Sequence, residues 1–446
     1  MSTETQAPIQ PKSLDEVTLP DPRSYASQVF PLKDHILYGD VASFESAPCL
    51  MPAVLAGYTS RCDIQPGVTS LEICPACFFS TSGTTSRSKQ VPYSDADLDR
   101  QRIHEAIALR KLGMRAGDGV ISLGAPLPSI SGWAIVNGSA AVGAQALNSS
   151  QLDYEEALSP ENRARASVVI GTPLVVREIG LAIEEEHGSL RDVFPNMRMA
   201  VIFGDVLPDE MRADIARIWG NPAVYSLYGT VEADVVATEC PQTPGTMYLM
   251  AERLVFEIIT EAELARERNE EGYVPQVVDI NTVPAGTIGE IIISDLSREV
   301  LPLIRYRIGD VVKVLGHDVA QPQLGQRISV LGRAKNTVLI DEVPLYEMQL
   351  TASLDAAIRG RFSDWRLVRQ PAQGDGPRHF TLFVEMRPGE TLNGEDCSRI
   401  WAEVAGQRAE LAVIDIPVLI EIAGTPKLEQ DKVQGDAKAR RIVLDV

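Results

Sequence analysis

The sequence of 446 residues predicts an α/β fold, with a large N-terminal domain of mixed sheets at residues 1–332 and a small mobile α+β domain at 333–446. Three observations support this prediction. β-Branched runs alternate with helical patterns between residues 168 and 227, as in sheets that bind ligands at their strand ends. Short strands separated by turns then follow as far as residue 331. A second pattern of helices and strands begins beyond Arg333, which places a hinge near residues 333–336.

The elements of the large domain follow from local patterns. Ser94, with Asp97 three residues later, is a capping-box start for a helix. Two further helices are predicted, at 176–186 and between Pro208 and Gly220. A charged helix or loop is predicted at 261–271. Strands are predicted at 168–170, 199–203, 224–227, 254–259, 291–294, 311–315 and 328–331.

The small domain alternates helices and strands. Helices are predicted near 346–358 and 397–411, and strands at 380–386 and 413–422. The proline-rich stretch 371–377 is expected to form a turn.

Composition excludes several classes of function. The net charge of −20 opposes binding to nucleic acid or to an anionic membrane. No run of 18 apolar residues occurs, and residues 1–6 lack the basic and apolar features of a signal peptide, so a cytoplasmic location is predicted. The six cysteines are too sparse for a disulfide framework, and Cys74 and Cys77 are expected to be small packed residues. A homodimer is expected only because dimers are the commonest soluble assembly.

A hydroxyl-rich turn at 79–89, closed by a lysine, carries the sharpest chemical signal. Backbone N–H groups and hydroxyls of such a turn donate hydrogen bonds to phosphate oxygens, and Lys89 adds positive charge. It is not a Walker P-loop, because that motif has a glycine directly before the lysine and Ser88 stands there instead. From its residues alone, the turn is either an ordinary surface loop or a phosphate-binding loop.

This turn resembles the phosphate loop of the adenylate-forming superfamily, which includes acyl-CoA synthetases, peptide-synthetase adenylation domains and luciferases. The family pattern is Thr-Ser-Gly-Thr-Thr-Gly-x-Pro-Lys, and residues 81–89 read Thr-Ser-Gly-Thr-Thr-Ser-Arg-Ser-Lys. Ser86 therefore replaces a glycine and Ser88 a proline. The resemblance implies that ATP phosphates are bound by Ser82, Gly83, Thr84, Thr85 and Lys89.

Three later segments occur in the order that the superfamily requires. Residues 228–232 resemble Tyr-Gly-x-Thr-Glu, which implies that Glu232 binds magnesium and that adenine lies near Gly204, Asp205, Tyr228, Gly229 and Thr230. Residues 302–310 resemble the segment that ends in Arg-Tyr-Arg-Thr-Gly-Asp, which implies that Asp310 binds the ribose. Gly332 and Arg333 match the Gly-Arg pair at the hinge, and Arg333 would help to hold the nucleotide.

The C-terminal stretch 426–432 aligns with Pro-Lys-Thr-x-Ser-Gly-Lys, so Lys432 is the implied adenylation lysine. Lys427 and Lys438 are nearby alternatives, and Asp431 stands where glycine is usual. The catalytic residues implied by the whole resemblance are Lys432, Glu232 and Thr84.

The chain looks most like the phenylacetate-CoA ligase branch, over roughly residues 79–432. The resemblance implies that ATP and Mg²⁺ activate a carboxylic acid as acyl-AMP, with release of pyrophosphate, and that the acyl group then passes to CoA. An aryl or arylacetic acid is favoured, in a pocket lined by Trp133, Phe203, Tyr225 and Tyr228. Several relatives bind zinc through extra Cys and His, whereas here only Cys240 is kept, so no structural zinc is predicted.

Two alternatives to CoA ligation follow from departures from the family pattern. The loop after Arg333 lacks the branch's glycine, which raises the alternative of an amide synthetase that passes the acyl group to an amine. Ser86, Val231 and Asp431 motivate the other alternative, an inactive nucleotide-binding homologue. Against inactivity, the chain keeps Lys89, Glu232, Asp310, Arg333 and Lys432.

Overall fold

The computed structural model describes residues 21–29, 32–35, 39–59, 75–81, 89–320, 324–340, 342–369, 380–408, 410–411, 420–425 and 442–443. Its helices are α1 Ala26–Val29, α2 Pro52–Thr59, α3 Asp95–Lys111, α4 Ile130–Val142, α5 Pro160–Arg165, α6 Pro173–His187, α7 Leu190–Val193, α8 Asp209–Ile218, α9 Glu261–Asn269, α10 Glu347–Ile358 and α11 Gly394–Gln407.

The strands fall into a large sheet, a C-terminal sheet and three hairpins. In chain order they are β1 Leu32–His35, β2 Gly39–Val41, β3 Cys77–Ser80, β4 Gln90–Tyr93, β5 Gly119–Leu123, β6 Gln145–Ala146, β7 Ala166–Gly171, β8 Met199–Phe203, β9 Ala223–Thr230, β10 Asp234–Cys240, β11 Thr243–Leu249, β12 Val255–Thr260, β13 Val278–Asp279, β14 Ile288–Asp295, β15 Leu303–His317, β16 Gln326–Arg333, β17 Val338–Ile340, β18 Val343–Leu345, β19 Phe362–Arg369, β20 Phe380–Met386, β21 Ile420–Thr425 and β22 Ile442–Val443.

The large sheet is mixed, with the strand order β13-β12-β14-β15-β16-β11-β10-β9-β8-β7-β5-β6. Strands β5 to β9 pair in parallel, and the strands from β9 to β13 in that order pair antiparallel. The carboxyl ends of parallel strands meet at one edge, which is where ligands bind in such sheets. Gly204 and Asp205 follow β8 at that edge, and Tyr228 lies near the end of β9.

The C-terminal sheet has the order β21-β20-β19-β22 and packs with α10 and α11. We call this sheet and its two helices the C-terminal unit. Its buried core includes Leu350, Trp365, Leu382 and Ile400, and the indole N–H of Trp365 donates to Thr351 at 3.1 Å. A large mixed sheet with helices and a smaller α+β unit confirm the predicted fold class. The placement of the domain boundary at residue 333 stays a prediction.

The predicted elements that fall on described residues are present, with shifted ends. Most of the strand predicted at 413–422 lies outside the described residues, and β21 covers only its last three positions. Strands 199–203 and 380–386 have the predicted bounds, and the Ser94 capping box begins α3 as expected. The charged stretch 261–271 is the helix α9. The helix predicted at 397–411 begins three residues earlier, because Asn393 caps it, and ends at Gln407. The expected turn at 371–377 lies outside the described residues.

Ion pairs join the C-terminal unit to the large sheet and its helices. Arg408, at the end of α11, donates to both carboxylate oxygens of Glu261 at 2.9 and 2.7 Å, and the Tyr346 hydroxyl donates to the same carboxylate at 2.7 Å. On a second contact, Arg387 pairs with Asp214 of α8 at 3.0 Å. These pairs fix the orientation of the C-terminal unit in this structure.

Asp355 lies on α10 at the contact with α8 and is buried. Burial, with the negative charges of Asp209 and Glu210, raises its pKa to about 7, and Arg359 opposes this only partly. The carboxyl therefore stays mostly protonated below about pH 7 in the folded protein, whereas in the unfolded chain it ionises near its ordinary pKa of 3.8. Its stabilising contribution is complete below about pH 4 and is lost as the pH rises through 7.

We expect Asp355→Asn to remove this pH dependence. Between pH 5 and pH 8 the melting temperature of the natural protein should fall relative to that of the variant, by roughly 2–4 °C. Scanning calorimetry at both pH values measures this, with the exposed Asp192→Asn as the control. If the difference in melting temperature between the natural protein and Asp355→Asn is the same at both pH values, the raised pKa of Asp355 is contradicted.

Candidate active site

Strands β3 and β4 hold the two ends of the phosphate turn together. Ser80 pairs with Gln90 in their antiparallel register. The Thr81 N–H donates to the Lys89 carbonyl at 2.9 Å, and the Lys89 N–H donates to the Thr81 hydroxyl at 3.1 Å. The predicted phosphate ligands Ser82, Gly83, Thr84 and Thr85 lie outside the described residues. The structure therefore fixes the mouth of this turn and the position of its lysine.

Lys89, Glu232 and Tyr306 form a hydrogen-bonded trio. The Lys89 ammonium forms an ion pair with the Glu232 carboxylate and donates to the Tyr306 hydroxyl at 2.9 Å. That hydroxyl in turn donates to Glu232 Oε1 at 2.8 Å. Tyr306 is fully buried and Glu232 is 5% exposed, whereas the Lys89 side chain keeps 21% of its surface. The trio unites three of the motifs that are separated in the sequence.

The electrostatics of the trio favour a charged Glu232. Burial alone would raise the pKa of this carboxyl, but the Lys89 ammonium, and hydrogen bonds from Lys89 and Tyr306, lower it below its usual range. Burial and the adjacent Glu232 carboxylate raise the pKa of Tyr306, so its hydroxyl stays a neutral donor. Carboxylate oxygens are among the ligands that divalent cations such as Mg²⁺ take in proteins.

A second trio, Asp310, Arg333 and Tyr228, lies beside the first. Arg333 Nε pairs with Asp310 Oδ1 at 2.8 Å across the β15–β16 ladder, and the Tyr228 hydroxyl donates to Asp310 Oδ2. Burial and Asp310 raise the pKa of Tyr228, while Asp310 first of all raises the pKa of Arg333. Two segments contribute to both trios, because Tyr306 and Asp310 lie on β15 while Tyr228 and Glu232 lie at the end of β9 and in the turn after it.

The turn between β9 and β10 sets the position of Glu232. A Cβ on Gly229 would lie 2.9 Å from the Asp234 carbonyl oxygen, so no side chain fits there. The Thr230 hydroxyl accepts the Ala233 N–H at 3.0 Å and closes the turn. On the adjacent strand end, Gly204 has a φ of +83° and Asp205 accepts its neighbour's N–H at 2.8 Å.

The four residues predicted to line the acyl pocket do not form one cluster. The Trp133 ring lies 5.9 Å from the ring of Phe79 and packs with that residue and Tyr93. Phe203 and Tyr225 pack on a different core cluster, beneath the parallel strands, and Tyr228 contacts Asp310. Their role in binding an acid stays a prediction.

Sequence reasoning missed three residues that shape the site: Tyr306, Tyr93 and Arg298. Tyr306 lies at the centre of the recognised segment 302–310, and that position was the sequence signal that could have identified it as a site residue. Its neighbours Arg305 and Arg307 form ion pairs away from the site, with Glu257 at 2.8 Å and with Glu290 and Glu267. The roles of Tyr93 and Arg298 have no local sequence signal, since their partners are distant in the chain.

The cysteines of the described residues are free, at positions 49, 77, 240 and 397. Cys77 lies in β3, half-buried, as the packing interpretation expects; Cys74 lies outside the described residues. Next to Cys240, the Tyr248 hydroxyl bonds to Asp318 and Thr243, both at 2.9 Å. The described part of the chain holds no group of three or more His, Cys, Asp or Glu that would fit a metal ion. The absence of zinc stays a prediction.

Comparison with known proteins identifies the family of this chain. Residues 68–297, more than half of the chain, match the family described as AMP-binding enzyme, and the chain belongs to that family. The predicted superfamily is thereby confirmed, and the branch is confirmed by two curated relatives. These are the phenylacetate-coenzyme A ligases of Pseudomonas putida, 25% identical over 277 residues, and of Aromatoleum evansii, 24% identical over 276 residues.

Coverage limits what those relatives show. Each match covers 60% of this chain and 57% of the relative, so the chain spans little more than half of their length. Among solved structures, a 2-hydroxyisobutyryl-CoA ligase in the postadenylation state is 17% identical, with a TM-score of 0.65 over 94% of this chain and 82% of that one. ATP-bound MatB from Rhodopseudomonas palustris is 17% identical, with a TM-score of 0.55 over 80% and 66%. These structures show the shared fold.

Among the described helices, none has the length and apolar composition that a membrane span requires.

Proposed function

We propose that this protein activates a carboxylic acid with ATP, forming acyl-AMP and pyrophosphate, and then transfers the acyl group to CoA. The observation that carries the proposal is the meeting of Lys89, Glu232, Asp310 and Arg333, with Tyr228 and Tyr306 between them. The residues that we assign to phosphate, metal and ribose therefore lie together. The names of the curated relatives, both phenylacetate-coenzyme A ligases, support CoA as the acceptor.

The reaction joins two anions, so charge neutralisation and alignment supply most of the catalysis. Lys89 would exchange its ion pair with Glu232 for the β- and γ-phosphate oxygens of ATP. Asp310 would accept hydrogen bonds from the ribose hydroxyls as well as from Tyr228 and Arg333. Gly204 and Asp205 would border the adenine. Lys432 would hydrogen-bond the attacking carboxylate and the α-phosphate.

The residues present fit a magnesium ion. Mg²⁺ in nucleotide sites is held by one or two protein carboxylates together with phosphate oxygens, and it keeps several waters. Glu232 supplies such a carboxylate, kept ionised by Lys89 and by the hydroxyl of Tyr306. When bound, the ion would neutralise the charge of the phosphates. Glu232 would then be the protein ligand released from Lys89 for this purpose.

An aryl or arylacetic acid is the substrate class that we propose, because both curated relatives are phenylacetate-coenzyme A ligases. We place the reaction in the cytoplasm, where the free cysteines of the described residues would stay reduced. A homodimer stays a prediction.

Acid-dependent pyrophosphate release tests the proposal. The purified protein is incubated with ATP, Mg²⁺ and a panel of aryl, arylacetic and aliphatic acids, with and without CoA. Pyrophosphate is measured, and the acyl products are identified by mass spectrometry. A CoA thioester of an aryl acid would support the full proposal. Acyl-AMP that ignores CoA would favour an amide synthetase, in keeping with the altered loop after Arg333. Binding of ATP without any acid-dependent pyrophosphate would indicate an inactive homologue.

Tyr306→Phe tests the trio at its neutral member. The variant loses the hydroxyl that accepts from Lys89 and donates to Glu232, and we expect acid-dependent pyrophosphate release to fall by roughly 10-fold. The matched control is Tyr248→Phe, which removes another buried hydroxyl, bonded to Asp318 and Thr243, outside the site. An equal loss in both variants, measured at equal melting temperature, would count against a role for Tyr306.

A further inference from the structure

One buried arginine, Arg298, joins the two segments that carry the lysine and the glutamate of the site. The residue is 2% exposed. Its Nη1 donates to the Glu232 carbonyl and its Nη2 to the Pro92 carbonyl, each at 2.5 Å. Pro92 lies on β4, three residues after Lys89. A single guanidinium thus ties the main chain beside the lysine to the main chain of the glutamate.

The backbone on both sides of Arg298 is fixed, so its guanidinium has a defined position. Asp97, in the first turn of α3, accepts the Glu299 N–H at 2.9 Å. On the other side, Asp295 accepts the N–H and the hydroxyl of Ser297 at 3.2 and 2.7 Å. The short link between β14 and β15 is therefore anchored to α3 and to the end of β14.

A third contact braces the residue that precedes Glu232. The Arg298 guanidinium lies 4.0 Å from the centre of the Tyr93 ring, and the Tyr93 hydroxyl donates to the Val231 carbonyl at 2.7 Å. Only a planar, multiply donating cation can stack on a ring and bond two carbonyls that belong to different segments. Lysine carries the same charge but lacks that geometry.

We propose that Arg298 is a positioning residue of the adenylation site: it sets the distance of Glu232 from Lys89 and thereby the affinity for magnesium. The inference rests on the proposed function, since it assigns Glu232 to the metal. Both hydrogen bonds of the guanidinium go to main-chain oxygens, so Arg298 acts through the placement of Glu232 rather than by contact with the nucleotide. Partners of this kind behind a metal ligand typically change metal affinity 10- to 100-fold when they are removed.

Calorimetric binding of ATP at a series of Mg²⁺ concentrations tests this proposal without needing an acid substrate. We expect Arg298→Met to raise the Mg²⁺ concentration for half-maximal ATP binding by about 10-fold or more, and Arg298→Lys to raise it less. The matched control is Arg212→Met, which also removes a guanidinium that donates to a main-chain carbonyl, that of Val224, but whose other partner is Glu239, outside the site. In that control the Mg²⁺ requirement should be unchanged, whatever the loss in melting temperature.

Three results would overturn the inference. The first is a natural Mg²⁺ requirement for ATP binding in Arg298→Met. The second is an equal shift of that requirement in Arg298→Met and Arg212→Met, which would make Arg298 a general core residue. If Arg298→Met does not fold, Arg298→Lys decides in its place, and a natural Mg²⁺ requirement there is the contrary outcome. Failure of the proposed function has a different signature: the natural protein would bind ATP with Mg²⁺ but release no pyrophosphate with any acid.

Discussion

Glu232→Gln should reduce acid-dependent pyrophosphate release by roughly 10²- to 10³-fold, the largest effect that we expect of any single substitution. The change is isosteric and keeps an oxygen for the hydroxyl of Tyr306, which donates to this side chain at 2.8 Å. It removes the negative charge that pairs with Lys89 and that would hold magnesium. Initial rates at saturating ATP, taken over a range of Mg²⁺, measure the loss.

Glu239→Gln is the matched control for this substitution. Glu239 is also a buried glutamate on the adjacent strand β10, but it pairs with Arg212. Its variant should lose stability while its rate at saturating Mg²⁺ stays close to that of the natural protein. Rates that fall equally in the two variants would mean that Glu232 has only a structural role.

A double variant makes the test of the trio sharper. Lys89→Met should be strongly impaired by itself, because it removes the charge at the end of the phosphate turn. The residues share one ion pair, so the effects of Lys89→Met and Glu232→Gln should be far from additive. If the rate losses of the two single variants multiply in the double variant, the two residues act independently. That result would contradict a single phosphate and metal site.

Lys432→Ala carries the second largest expected effect, a loss of adenylation of about 10²-fold or more. The variant would lack the cation that aligns the attacking carboxylate with the α-phosphate. Lys432 lies outside the described residues, seven positions beyond Thr425, the end of β21.

The neighbouring lysines serve as controls for Lys432. Lys427→Ala and Lys438→Ala remove the same charge from the same stretch and should leave pyrophosphate release nearly unchanged. Transfer of the acyl group from acyl-AMP that is supplied ready-made should survive in Lys432→Ala, because that step no longer requires the α-phosphate to be attacked. Full activity of Lys432→Ala together with an inactive Lys438→Ala would move the adenylation lysine to position 438.

Local patterns determined much of this protein. Alternation of β-branched and helical runs identified the strands β7, β8 and β9 and the helices between them, because periodicity is a property of adjacent residues. The Ser94 capping box and the phosphate turn could be recognised because their residues lie within a few positions of one another. Order and spacing of the motifs along the chain then indicated the family, which the match over residues 68–297 confirms.

Only the tertiary structure decided which side chains meet. Lys89 and Glu232 are 143 positions apart, and Tyr228 and Asp310 are 82 apart, so no local period relates them. Arg298 shows the same limit, because it donates to main-chain carbonyls, which every residue has and which leave no mark in the sequence. Hydrogen bonds to the main chain depend on where the backbone passes, and that path is fixed by the packing of the whole sheet.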